Sequence, residues 1–175
     1  TSELAALLEK SIGIANTEDG VAVGGTFTTI VFPDTFSAVN GFYNGIGIRI
    51  TNNIPQGIIN NVRTITGYVG ATRTATVSTP FNAVPTTATE FELGITNTVA
   101  GGTTSTVTLD PTASAINGFY IGQTLYITQT GESKKVTGYN GTTKVASFNT
   151  LWNITPYAGL TYFITNHTFT VNVAG

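Results

Sequence analysis

The stretch VNGFYNGIGIRIT, residues 39–51, recurs as INGFYIGQTLYIT, residues 116–128. Glycine, aromatic and β-branched residues dominate both copies, and neither carries the side chains of a catalytic centre. Alternation decides the local structure. Ile46, Ile48 and Ile50 fall on one face and Gly47, Arg49 and Thr51 on the other, the period of a strand that buries one side. The preceding phrase, Asn40-Gly41-Phe42-Tyr43-x-Gly45, reads as a turn that delivers two aromatic side chains and then a strand. Phe42 and Phe119 are expected to plug the end of a β-module while Tyr43 and Tyr120 keep their hydroxyls at water. The other reading of these aromatics is a platform for sugar rings.

Working outward, the whole chain from Val21 lies over itself. At an offset of 77, Gly24-Gly25-Thr26 meets Gly101-Gly102-Thr103, Thr29 to Phe32 meet Thr106 to Leu109, and Asn40 to Tyr43 meet Asn117 to Tyr120. After a connection six residues shorter in the second copy the offset becomes 71, and Thr66-Gly67-Tyr68 meets Thr137-Gly138-Tyr139, Phe81 meets Trp152, Pro85 meets Pro156 and Leu93 meets Ile164. The period exceeds that of solenoid repeats, so each copy is read as a module with its own core.

The expected fold class is all-β: two tandem antiparallel barrel or sandwich modules of about five strands each, over 21–97 and 98–175, preceded by an arm over 1–20. Strands are expected near 26–33, 45–52, 62–68, 73–79 and 89–96, with equivalents in the second copy. Within the arm, residues 2–12 read as a short amphipathic helix, capped by Ser2, with Leu4, Leu7, Leu8 and Ile12 on one face. In the hairpin TITGYVGATRTATV, 64–77, and its echo VTGYNGTTKVASF, 136–148, burying Ile65 with Ala75 and Val77 demands an odd loop of three or five residues. A two-residue Asn-Gly turn would instead set Ile65 against Thr74.

Composition narrows the function classes. Only 9% of the 175 residues are charged, against about 25% in an ordinary soluble domain. Thr supplies 35 residues, Asn 15 and Gly 20, a mixture that suits strands and turns. With few Lys, Glu or Pro to guard strand edges, many edges are expected to be occupied already. A net charge of −2 without a basic cluster gives no footprint for nucleic acid or an anionic membrane, and no apolar run is long enough for a membrane span. Cysteine is absent, which excludes disulfides, thiolate metal sites and Cys nucleophiles. A module of about 70 residues buries little more than roughly 60% of its unfolded surface, so each needs help from the other or from neighbouring chains.

Titratable groups do not converge. The close carboxylate pairs, Glu18/Asp19 and Glu90/Glu92, have no echo in the second copy, and the single histidine, His167, lies in the closing segment TNHTFTVN. One His without Cys makes no ordinary zinc site, and no G-x-S-x-G accompanies it. Asp34 and Asp110 stand beside Pro33 and Pro111 as turn formers, without the loop pattern of a calcium site. The basic residues do recur, Arg63 with Lys134 and Arg73 with Lys144. They are read as solubilising strand-end residues whose long stems cover apolar neighbours, or as contacts to an anionic glycan or an acidic neighbour. No catalytic residue, metal ligand or cofactor is expected.

The run Y-x-G-x-x-(I/L)-x-I-T, then (R/K)-x-(I/V)-T-G-Y-x-G-x-T-(R/K)-x-A, then an aromatic and Pro before a closing strand, resembles a repeat of structural proteins in bacteriophage and other large virus particles. It spans about 37–93 and 114–164. The resemblance implies a virion component of decoration or cement, head-fibre or tail type, partnered by its own copies and by capsid or other virion proteins, with a host-surface glycan as a further partner. The expected function is a non-enzymatic, self-associating structural protein of the particle. The alternatives are a carbohydrate-binding adhesin, which requires Tyr43, Tyr120 or Trp152 exposed in grooves, and an extracellular filament subunit.

Overall fold

A computed structural model describes residues 19–53 and 61–165. The helix expected over 2–12, residues 54–60 of the connection between the expected strands 45–52 and 62–68, and the closing segment with His167 lie outside the described residues. The first copy contains β1 (Asp19–Val21), β2 (Gly24–Gly25), β3 (Thr29–Val31), β4 (Gly47–Asn52), β5 (Val62–Val69), β6 (Thr74–Val77) and β7 (Glu90–Thr98). The second contains β8 (Gly101–Gly102), β9 (Thr106–Thr108), β10 (Thr124–Ile127), β11 (Ser133–Lys135), β12 (Gly138–Asn140), β13 (Val145–Ser147) and β14 (Thr161–Thr165). The described residues are all-β and hold no helix. Their antiparallel ladders form one sheet of ten strands and one of four rather than a closed barrel.

Each copy repeats one plan. β4 pairs with β5 and β7, as β10 pairs with β11 and β14. On the other face of the core β3 joins β2 to β6, as β9 joins β8 to β13. β5 serves both layers in the first copy. In the second the equivalent run is interrupted into β11 and β12, which is why one copy's layers count as one sheet and the other's as two.

The hairpin corrects one expectation. Val69 pairs with Thr74 and Asn140 with Val145, so four residues, not three or five, close the turn in both copies. Parity is restored farther along: the register shifts between Ile65 and Gly67, and Ile65 comes to face Val77. The bulge inverts the side-chain alternation, so Ile65 and Tyr68, of opposite parity, are both buried. The turn ends on Arg73 and Lys144 at φ 53° and 61°, a left-handed step that closes it.

β7 belongs to both copies. Its first half pairs with β4 and β1, with Ile48 opposite Leu93 and Gly20 opposite Phe91. Its second half pairs with β14, with Ile95 opposite Ile164 and Thr98 opposite Thr161. β1 and β14 follow one another along one edge of β7, where Thr89 accepts from the Ala22 amide and Val99 donates to the Leu160 carbonyl, and β4 holds the other edge. The hand-over falls at Gly94, where a Cβ would lie 2.3 Å from the Ile164 carbonyl oxygen and 2.8 Å from the Phe163 ring. Only a glycine lets the strands approach so closely.

Two hydrophobic cores result. The first gathers Phe32, Tyr43, Ile48, Ile50, Ile65 and Leu93, the second Leu109, Tyr120, Leu125, Ile127, Trp152 and Ile164. A smaller cluster of Val62, Tyr126 and Phe163 joins them. Over it the Arg49 guanidinium lies 4.0 Å from the centre of the Tyr126 ring while reaching Glu92 at 2.9 Å. The two copies are thus joined by a shared ladder and a buried cluster.

Candidate functional site

The repeated NGFY phrase is a structural joint. Gly41 and Gly118 take φ of 71° and 76°, conformations open to glycine at little cost. Asn40 and Asn117 accept from the amides of Gly70 and Gly141 at 2.8 Å in both copies. Against expectation, the tyrosines of this phrase are not at water. Tyr43 is 0% and Tyr120 2% exposed, and their hydroxyls accept from the amides of Ser37 and Ser114. A buried phenol keeps its hydrogen bonds inside. Phe42 is buried as expected and Phe119 is half-buried. Trp152 is 3% exposed, so none of the three aromatics that a sugar platform needs is available.

The recurring cations are also turned inward. Arg63 donates to the carbonyls of Val62, Thr79 and Pro80 and to Asn61, and burial lowers its pKa. Arg73 reaches the carbonyls of Gly70 and Asp34, and Lys144 that of Ala113. Lys134 lies 3.8 Å from Glu132 and 5.2 Å from the Trp152 ring. Of the carboxylates, Glu92 pairs with Arg49 and Glu90 accepts from Asn52; Glu18 and His167 lie outside the described residues. Asp34 is exposed. Among the described residues no group of three His, Asp or Glu is placed to hold a metal.

Two of the places where the copies differ are candidates for function. The first surrounds Asp110. In the first copy Phe36 packs at 4.9 Å from Phe32, 5.5 Å from Phe91 and 5.9 Å from Tyr43. Its counterpart is Ala113, Phe91 is replaced by Tyr162, and Pro33 by Asp110. What the ring fills in one copy is a cavity of about 280 Å³ in the other, bounded by Asp110, Tyr120, Tyr162, Phe119, Ile95 and Asn97. Asp110 is 6% exposed and accepts from the amide and hydroxyl of Thr112 and from the Tyr162 hydroxyl.

The electrostatics of this cavity hold its phenols neutral. Burial first, and then the hydrogen bond to Asp110, push the Tyr162 hydroxyl far above its ordinary range. Burial raises Tyr120, opposed by the Ser114 amide and reinforced by Asp110. Tyr139, which donates to the Ser114 carbonyl at 2.7 Å, is pushed up to about 12, chiefly by burial. The arrangement presents hydrogen-bond acceptors.

The second place is the loop between β13 and β14. Leu151, Ile154 and Tyr157 stand 66%, 51% and 58% exposed. Their counterparts in the first copy are Pro80, Ala83 and Thr86. Both loops are anchored alike, since Asn61 accepts from the Asn82 amide and Glu132 from the amides of Asn153 and Ile154. The anchoring is shared while the surface it displays is not.

Both places fall at positions where the copies differ. The signal lay in the disagreements, Phe36 against Ala113, Pro33 against Asp110, and Pro80, Ala83 and Thr86 against three large apolar residues. No protein-family profile, curated protein or solved structure matches the chain.

Proposed function

We propose that this protein is a non-enzymatic structural component of a virus particle that works by associating with its own copies and stabilises or decorates a capsid or tail assembly. The observation that carries the cohesive role is the loop with Leu151, Ile154 and Tyr157 turned outward and its backbone fixed by Glu132. Apolar side chains on a backbone already ordered lose little further entropy on association, and removing them from water drives contact. A surface with so few charges offers little repulsion between copies. The inward use of Arg63, Arg73, Lys134 and Lys144 supports cohesion over recognition of an anionic partner, and the burial of Tyr43, Tyr120 and Trp152 disfavours the adhesin reading. The virion setting rests on the repeat resemblance.

The test is sedimentation velocity over a dilution series, with electron microscopy of the purified chain, for the natural protein and for Leu151→Ser/Ile154→Ser/Tyr157→Ser. The expected result is a concentration-dependent oligomer that the triple variant reduces to smaller species with an unchanged circular dichroism spectrum. A natural chain that stays monomeric at every concentration would end the proposal.

A further inference from the structure

We propose that the cavity around Asp110 is a binding site for a primary alkylammonium group, the chemistry of a lysine side chain or a small aliphatic amine. In the first copy Gly20 faces Phe36 and Phe91 so closely that a Cβ on it would lie 3.1 to 3.2 Å from both rings. In the second copy Ala113 leaves the space open and Asn97 stands where Gly20 was, its amide directed to Thr112. The same fold therefore exists with the space filled and with it empty. The copy that is empty is the one that gained a buried carboxylate.

That carboxylate is unbalanced. Among the described residues no Lys, Arg or His lies within ion-pair distance of Asp110. Its three donors, the Thr112 amide and hydroxyl and the Tyr162 hydroxyl, are all neutral. An ionised carboxylate has about four acceptor positions, so one remains. Lys144, which touches the cavity wall, donates instead to the Ala113 carbonyl at 2.8 Å. A buried charge without a counter-charge is costly, and a cation entering the cavity removes that cost.

The walls select the kind of cation. The protons of the Tyr162 and Thr112 hydroxyls are committed to Asp110, and the Thr112 oxygen also accepts from the Asn97 amide, which leaves the Tyr162 oxygen as an acceptor beside the carboxylate. A group with several N–H donors and no acceptor fits this arrangement, whereas an anion is repelled by the carboxylate. Ile95, Ala113 and the half-buried Phe119 supply the apolar part of the lining, suited to an alkyl stem and to cation–π contact. A divalent metal needs six or more oxygens with more negative charge than one carboxylate gives.

The test is titration of the full chain with n-butylammonium chloride, followed by amide NMR shifts, with n-butanol and sodium chloride in parallel. Saturable shifts at Thr112, Ala113 and Ser114 are expected, with half-saturation on the order of millimolar, and none of that size from n-butanol or salt. Asp110→Asn keeps the shape and removes the charge, and should weaken binding by about tenfold or more. The pair Ala113→Phe/Asn97→Gly rebuilds the filled arrangement of the first copy and should abolish binding while the remaining spectrum persists. Phe36→Ala opens the equivalent space beside Pro33 and should create no second ammonium site. Equal shifts from n-butanol, unchanged binding by Asp110→Asn, or no saturable shift in the natural chain would each overturn the assignment.

Discussion

Place the two modules side by side and every joint agrees while the fillings diverge. Asn40 and Asn117 make the same bond to the same glycine amide, Tyr68 and Tyr139 donate to the same serine carbonyl at 2.7 Å, and the four-residue turn ends on the same left-handed cation. Yet Phe36 is a plug where Ala113 is a vacancy, and a plain loop in one module is an apolar display in the other. The difference teaches that the backbone of this module is fixed by a few side-chain-to-backbone bonds, which leaves core and loop positions free to change. Joints tolerate little because a lost bond strands a buried polar group. Fillings tolerate more because packing loss is graded.

The comparison is broken most severely at the cluster that joins the modules. Phe163→Ala should cost about 3–5 kcal/mol. Because β7 runs through both modules, the loss should appear in one cooperative denaturation curve, with the fluorescence of Trp152, the sole tryptophan, and circular dichroism falling together. Two separated transitions would mean that the modules are independent. Next comes Phe36→Ala, which empties the first module as the second is emptied naturally. About 3 kcal/mol is expected from chemical denaturation, since Phe32, Phe91 and Tyr43 lose a common partner.

Alkaline pH sharpens the contrast from the side of the second module. The folded-state pKa of Tyr139 is raised to about 12, above the unfolded value of about 10, so the unfolded chain loses its proton first. The stability this gives is whole below about pH 10 and is lost as the pH rises to about 12. Tyr120 and Tyr162 shift in the same direction. Denaturation midpoints should fall over that window, with the tyrosinate absorbance of the buried phenols appearing on unfolding. A flat profile would contradict the burial. Smaller still, Arg49→Met should cost about 1 kcal/mol by removing the contact with Tyr126 and Glu92. Least of all, Trp152→Phe, which installs the residue of Phe81, should cost roughly 1 kcal/mol, since the indole N–H has no acceptor among the described residues.

Sequence alone revealed the duplication and the core strands, because a buried face imposes alternation and Ile48, Ile50, Phe91 and Leu93 obey it. The bulge after Ile65 was not legible. The pattern required Ile65 to face inward, but an odd loop and an even loop with one extra residue in the strand satisfy that requirement equally. Nor was the burial of Tyr43 and Tyr120 legible, for a phenol reads as amphipathic until the amides of Ser37 and Ser114 are found beside it. The sharing of β7 was hidden for another reason. Its residues match two different parts of the repeat, Phe91 and Leu93 closing one copy and Asn97 and Thr98 opening the next, and a cut at 97 falls inside the strand. The carboxylate of Asp110 read as a turn former, and only the cavity left by Ala113 shows that it is enclosed.

The strand common to both modules has a mechanical corollary. Units joined by a flexible tether swivel at no enthalpic cost, but here any rotation of one half against the other must shear the ladders that β4 and β14 form with β7 and pull Tyr126 from under Arg49 and from beside Val62. Bending stiffness is therefore written into the connectivity, and the two halves should move under load as one body rather than as links.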